Sequence, residues 1–130
     1  MMRTDQVTPP GVTEQLHEHA VIEVEGRMIK IDRDGFLVDP ADWTPAVTEL
    51  MAEQDGLELE GDHWMLIDFL HRFYAEFQMA PELPILARNL CKDRHDCRWT
   101  RRYIKELFPR GAKTACRYAG LPAPVGRSCG

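Results

Sequence analysis

The residues with the most chemistry to offer in this 130-residue chain are four cysteines, Cys91, Cys97, Cys116 and Cys129. Cys129 is the penultimate residue, near the end of the segment Leu-Pro-Ala-Pro-Val-Gly-Arg-Ser-Cys-Gly that follows Gly120. Pro122 and Pro124 bar a helix there, and Gly126 and Gly130 loosen the rest, so this arm has no fold in which to bury its thiol. Fully extended, the stretch from Gly120 to Cys129 reaches at most roughly 30 Å. A thiol of ordinary acidity is about 3% thiolate at pH 7. Arg127 raises that fraction and the terminal carboxylate lowers it. The chemistry on offer is nucleophilic attack on a partner's sulfur.

Cys116 has two readings. With Ala112, Ala115 and Ala119 it forms an i, i+3, i+4, i+7 face, which suits a buried structural cysteine. Its place in the last helical turn, at the negative end of the helix dipole, disfavours a thiolate. The arm is nevertheless long enough to fold back onto it. Closing such a loop costs roughly 3 kcal/mol of chain entropy, which a disulfide formed under an oxidising partner meets. In that pairing Cys129 is the carrier and Cys116 the resolving thiol. Cys91, His95 and Cys97 leave three alternatives: zinc ligands at an unusual spacing and without a second clip, a local disulfide, or plain loop and helix-end residues. No phosphate-cradling glycine loop, Ser/His/Asp arrangement or paired-carboxylate motif is present. His63 and His71 fall on an aromatic helix and read as cap or surface residues.

The elements that position these thiols follow from patterning. Val21–Val24 and Met28–Ile31 flank Glu25-Gly26-Arg27 as a β-hairpin, and Phe36-Leu37-Val38 after Asp34-Gly35 reads as a short third strand. Thr44-Pro45 opens a helix that runs to about Gln54 and ends at Gly56. Residues 62–78 place Trp64, Ile67, Phe69, Leu70, Phe73, Tyr74 and Phe77 at helical spacing as a broad buried stripe, in a helix that Pro81 stops. Further helices are expected from Pro84 through Leu90, over 98–107, and from about 112 to Ala119 with Gly120 as the cap. The fold class is α+β, mostly α: an N-terminal hairpin, a small helical bundle and a flexible C-terminal arm. The division is a disordered leader (1–20), a folded domain (21–119) and the cysteine-bearing arm (120–130).

Composition is that of a globular protein, 44% hydrophobic and 28% charged. No apolar run approaches the ~20 residues of a membrane span, and the polar N-terminus lacks a signal peptide's apolar core, so no membrane insertion and a cytoplasmic location are expected. The net charge of −5 hides an asymmetry: residues 1–84 hold 5 Lys/Arg against 18 Asp/Glu, and residues 85–130 hold 11 against 3. Arg101, Arg102 and Lys105, then Lys113, Arg117 and Arg127, are the candidate partner-binding cations. They suit an acidic partner or anionic sulfur species. The alternatives are an internally neutralised fold, and a helix–turn–helix over 84–107 that presents Arg98, Arg101 and Arg102 to DNA.

The segment LFPRGAKTACRYAGLPAPVG with its penultimate cysteine, and upstream GFLVDPADWTPAVTELMAEQDGLELEGDHW and FLHRFYAEFQMAP, resemble the DsrC/TusE family of sulfur-relay proteins over about residues 21–126. The resemblance implies that Cys129 carries sulfur covalently as a persulfide, with no bound cofactor. It maps Cys116 onto a second arm cysteine of the DsrC branch, where the pair holds the product of sulfite reduction as a trisulfide. The implied partners are dissimilatory sulfite reductase, upstream persulfide donors and a membrane thiol–disulfide reductase complex. The TusE branch, which passes persulfide toward tRNA 2-thiouridine and typically lacks the second cysteine, is the alternative; a DNA-binding regulator that kept the fold is another. In either sulfur-relay branch the protein is a co-substrate rather than an enzyme with its own turnover. The arm departs from the family pattern at one point. Arg127-Ser128 intervene where the family arm runs directly from glycine to cysteine, adding roughly 7 Å of extended chain. Loop closure hardly registers this, whereas fit into a partner's channel does.

Overall fold

The computed structural model describes residues 20–124. The predicted leader up to residue 19, and Arg127 and Cys129, lie outside them.

Strands β1 (Ala20–Val24) and β2 (Arg27–Ile31) form an antiparallel hairpin with Ile22 opposite Ile29. Glu25 and Gly26 both take positive φ (51° and 82°), the conformation that matches the right-handed strand twist. The expected third strand does not form as such. Asp32 Oδ1 accepts the N–H groups of Asp34 and Phe36, folding the chain back so that only an isolated bridge joins Ile31 to Leu37. Phe36 and Leu37 are thereby delivered to the core.

After a 3₁₀ turn (Pro40–Asp42) come five helices: α1 (Pro45–Asp55), α2 (Gly61–Phe77), α3 (Leu83–Arg94), α4 (Arg101–Leu107) and α5 (Ala112–Tyr118). Pro45 opens α1 at a position where no intrahelical N–H is needed, and Gly56 (φ 70°) closes it. Thr44 holds the N-cap position without a capping bond. In α2 the box is reciprocal, Glu60 accepting from the backbone of His63 and the His63 ring accepting from the Glu60 N–H. Helix α2 ends at left-handed Gln78, three residues before Pro81.

Two boundaries differ from the sequence pattern, and both move candidate residues. Helix α3 continues past Leu90 to Arg94, taking Cys91 into the helix, and ends at left-handed His95. Helix α4 begins only at Arg101, because Thr100 Oγ1 caps the Tyr103 N–H and Trp99, just before it, is driven into the core. Arg98 therefore precedes the helix it was expected to share with Arg101, Arg102 and Lys105. Helix α5, built of small residues on its inner face, packs against α1 and α2, with Ala112, Ala115, Cys116 and Ala119 all buried.

Candidate functional site

The last residues of α5 are held from several directions. Its terminus is a Schellman turn: Gly120 N–H bonds Arg117 O at 3.1 Å and Leu121 N–H bonds Cys116 O at 3.0 Å. Gly120 is left-handed (φ 75°), one position beyond the cap residue Ala119. The remaining carbonyls are taken by side chains from α1, α2 and the turn before α1. Trp43 Nε1 donates to both Tyr118 O (3.0 Å) and Thr48 Oγ1 (2.9 Å), and the Thr48 hydroxyl donates to Tyr118 O at 2.7 Å. His71 Nε2 lies 2.8 Å from Ala119 O and, facing a carbonyl, carries the proton. The Trp43 and His71 rings meet edge to face at 4.3 Å. This clamp fixes where the arm leaves the body. Beyond buried Leu121, Pro122, Ala123 and Pro124 run along a groove with Phe36, Val38, Pro40 and Lys113.

On the neighbouring side of α5 a cleft of about 620 Å³ is lined by Asp34, Asp55, Arg110, Lys113, Arg117 and Tyr118, among others. Arg117 and the Tyr118 hydroxyl converge on Asp55, at 2.6 and 2.7 Å. Burial opposes ionisation of Asp55, but the Tyr118 and Arg117 bonds outweigh it and hold the carboxyl below its usual range. The same arrangement pushes the Tyr118 phenol upward, burial first and the Asp55 bond second.

Cys116 lies beneath this exit, fully buried. Burial pushes its thiol up to about 12. The folded chain therefore keeps a proton that an unfolded chain gives up from an ordinary value near 9, and stability falls as pH rises from about 9 toward 12, by up to about 1.4 kcal/mol per pH unit. Below that window the thiol has no such effect. Chemical denaturation between pH 9 and 10 is expected to show this loss in the native chain and a flatter dependence in Cys116→Ala, whose remaining slope comes from Tyr103 and Tyr118, both also raised in the fold.

The predicted cations are distributed over two surfaces. Lys113 and Arg117 share the cleft with Arg110, although Arg117 is bonded to Asp55. Arg101, Arg102 and Lys105 are exposed on α4 and do not line that cleft. Arg98 bonds Asp62 and Asp96, both at 3.1 Å. Arg98 and Arg117 thus spend their charge on carboxylates, in part the internal neutralisation weighed from the sequence. Cys91 and Cys97 form a disulfide, so of the three alternatives the local bridge is the one present and not unbonded loop residues. His63 is a cap as expected, and is buried, its Nε2 also facing Leu107 O at 2.9 Å. Sequence reasoning missed the clamp: Trp43, Thr48 and His71 lie 48 to 75 positions from the carbonyls they bind, and no local pattern marks such pairs. Among the described residues no helix is long and apolar enough to cross a membrane.

A family model described as DsrC like protein matches residues 23–129. Among curated proteins, Sulfurtransferase TusE of Pectobacterium atrosepticum is 38% identical over 106 residues, covering 81% of this chain and 97% of its own length. Among solved structures, DsrC of Allochromatium vinosum superposes with a TM-score of 0.77 at 42% identity, covering 84% of this chain and 98% of its own. The oxidized gamma-subunit of dissimilatory sulfite reductase (DsrC) from Archaeoglobus fulgidus gives 0.72 at 36% identity, covering 83% and 99%.

Proposed function

The chain belongs to the DsrC-like protein family, and from that premise we propose that it is a sulfur-relay protein of the sulfurtransferase type, carrying sulfur on Cys129. The Cys129 thiolate attacks the outer sulfur of a donor persulfide. The donor S–S bond breaks, the donor leaves as a thiol after taking a proton, and Cys129 holds the persulfide. An acceptor thiolate then takes the outer sulfur from Cys129 and the cysteine returns to its thiol, so the cycle involves no net oxidation. Sulfur stays covalently bound throughout and no separate cofactor is required. The partners are persulfide donor and acceptor proteins, and in the TusE branch the acceptor leads toward tRNA 2-thiolation.

The observation that carries this reading is the state of Cys116. A fully buried thiol pushed up to about 12 is not poised to resolve a persulfide on the arm, which favours a one-thiol relay. The names of the curated relatives agree with it. The role that the sequence resemblance places first, co-substrate of a dissimilatory sulfite reductase with Cys116 as resolving thiol, is the second reading. The presence of Cys116 favours it, as do the names of the solved relatives. It requires the α5 terminus to open. Arg101, Arg102, Lys105, Lys113 and Arg127 remain the cations proposed to meet an acidic partner.

Incubation with a persulfide donor separates these roles. Cys129→Ser is expected to lose sulfur loading entirely, while Cys116→Ala loads as the native chain does. Loading that persists in Cys129→Ser contradicts the assignment, and a loaded native chain that converts to a Cys116–Cys129 bridge without unfolding favours the second reading.

A further inference from the structure

We propose that the Cys91–Cys97 bridge is a second thiol–disulfide exchange site, opened by dithiol reductants at Cys97 and independent of the arm. Cys97 is exposed, whereas Cys91, in the last turns of α3, is half-buried, so an incoming thiolate reaches Cys97 Sγ first. The backbone between the two cysteines is already closed without the sulfur bond. Asp96 N–H bonds Cys91 O at 3.1 Å and His95 N–H bonds Lys92 O at 3.3 Å, the Schellman pattern that ends α3. On either side the chain is pinned by Leu90 and Trp99, both essentially without exposure. Closing so short a loop restrains the unfolded chain by only about 2 kcal/mol, less than a long-range bridge would, and the native turn is ordered without the bond, so the fold is expected to outlast its opening. The same order holds the two Cα atoms 4.4 Å apart, so the reduced pair stays in place to close again.

Cys91 lies toward the negative end of the α3 dipole, which disfavours a thiolate, and the cations beside it offset that end. Lys92 and Arg94 are exposed and carry no ion pair among the described residues, while Asp93 is engaged by Arg72 and Asp96 by Arg98. In the exchange, one thiolate of the dithiol attacks Cys97 Sγ, the Cys91–Cys97 bond breaks, and Cys91 leaves as a thiolate and takes a proton. The second thiol of the reductant then displaces Cys97, which is protonated in turn. The dithiol is oxidised by two electrons to its disulfide and the protein pair is reduced to two thiols. A small disulfide such as oxidised glutathione reverses the process.

The test uses the full chain carrying Cys116→Ala and Cys129→Ser, so that only this pair can supply thiols. The protein is exposed without denaturant to dithiothreitol and, separately, to graded reduced and oxidised glutathione, then alkylated and weighed, with far-ultraviolet circular dichroism in parallel. Two thiols are expected to appear together, with a transient glutathione adduct on the Cys97 peptide. They should return to a disulfide with oxidised glutathione, and helix content should not change. Reduction only in denaturant, loss of helix on reduction, or failure to re-form the bridge overturns the proposal and makes the bond a staple. If the double variant does not fold, peptide mapping of Cys91 and Cys97 in the native chain distinguishes the same outcomes. Because the arm thiols are absent from the double variant, failure there leaves the relay reading untouched.

Discussion

Replacing Gly120 with alanine is expected to lower the melting temperature by roughly 8–40 °C. The backbone there is left-handed, at φ 75°, which costs a residue with a Cβ about 1–2 kcal/mol. The added Cβ would stand 2.7 Å from Trp43 Cβ and Cδ1 and 2.9 Å from Cγ, so the indole must move, and overpacking of this kind costs about 1–3 kcal/mol. In a domain of this size each kcal/mol moves the midpoint by about 4–8 °C. The indole cannot give way without also releasing Tyr118 O and Thr48, the bonds that fix the root of the arm. Thermal melts followed by circular dichroism of Gly120→Ala, Trp43→Ala and the pair test the mechanism. The double variant should be more stable than the sum of the single losses predicts. An unchanged midpoint in Gly120→Ala would remove Trp43 as the reason for a glycine at this position.

Native alkylation should divide the two arm-associated cysteines just as sharply. With its thiol pushed from 9.0 to about 12, Cys116 has about a thousandfold less thiolate at neutral pH than an unperturbed cysteine, and burial denies the reagent access as well. Under native conditions Cys129 is expected to label at least about a thousandfold faster than Cys116. In denaturant the two rates should converge. Comparable native rates would mean that the α5 terminus opens readily, and would move the weight toward the two-thiol reading.

Much of the fold is legible because its signals are local. Gly26 at the hairpin, Pro45 and Gly56 at the ends of α1, and the apolar stripe of α2 each specify an element through the backbone they permit or the face they bury, although that stripe is buried at Ile67, Phe69 and Leu70 and runs out to solvent at Phe77. Reading fails where tertiary contacts decide. Trp99 is drawn into the core and shortens α4, so Arg98 turns to Asp62 instead of joining a basic helix face. The polar stretch after Leu90 looks like a break, yet α3 continues through Cys91 until His95 takes the left-handed position usually left to glycine. Phe36-Leu37-Val38 has strand composition, but the Asp32 turn leaves it too little partner for more than one bridge.

The candidate site was legible in its chemistry and not in its support. Both readings of Cys116 follow from its sequence position, and the i, i+3, i+4, i+7 alanine face already indicates burial. The clamp of Trp43, Thr48 and His71 leaves no trace in spacing, because side chain-to-carbonyl bonds across the fold have no periodicity to read. What the clamp provides is a rigid launching point for Leu121 and the residues after it. The proposed carrier role needs such a fixed origin for the arm.

The most direct test of the relay is the location of sulfur in the native chain after exposure to a persulfide donor, read by intact and peptide-mapped mass spectrometry with and without reductant. A gain of one sulfur atom confined to the Cys129 peptide, removed by reductant, with Cys116 still a free thiol, is the predicted result. An unmodified Cys129, or sulfur found on Cys116 while the fold is intact, would contradict it.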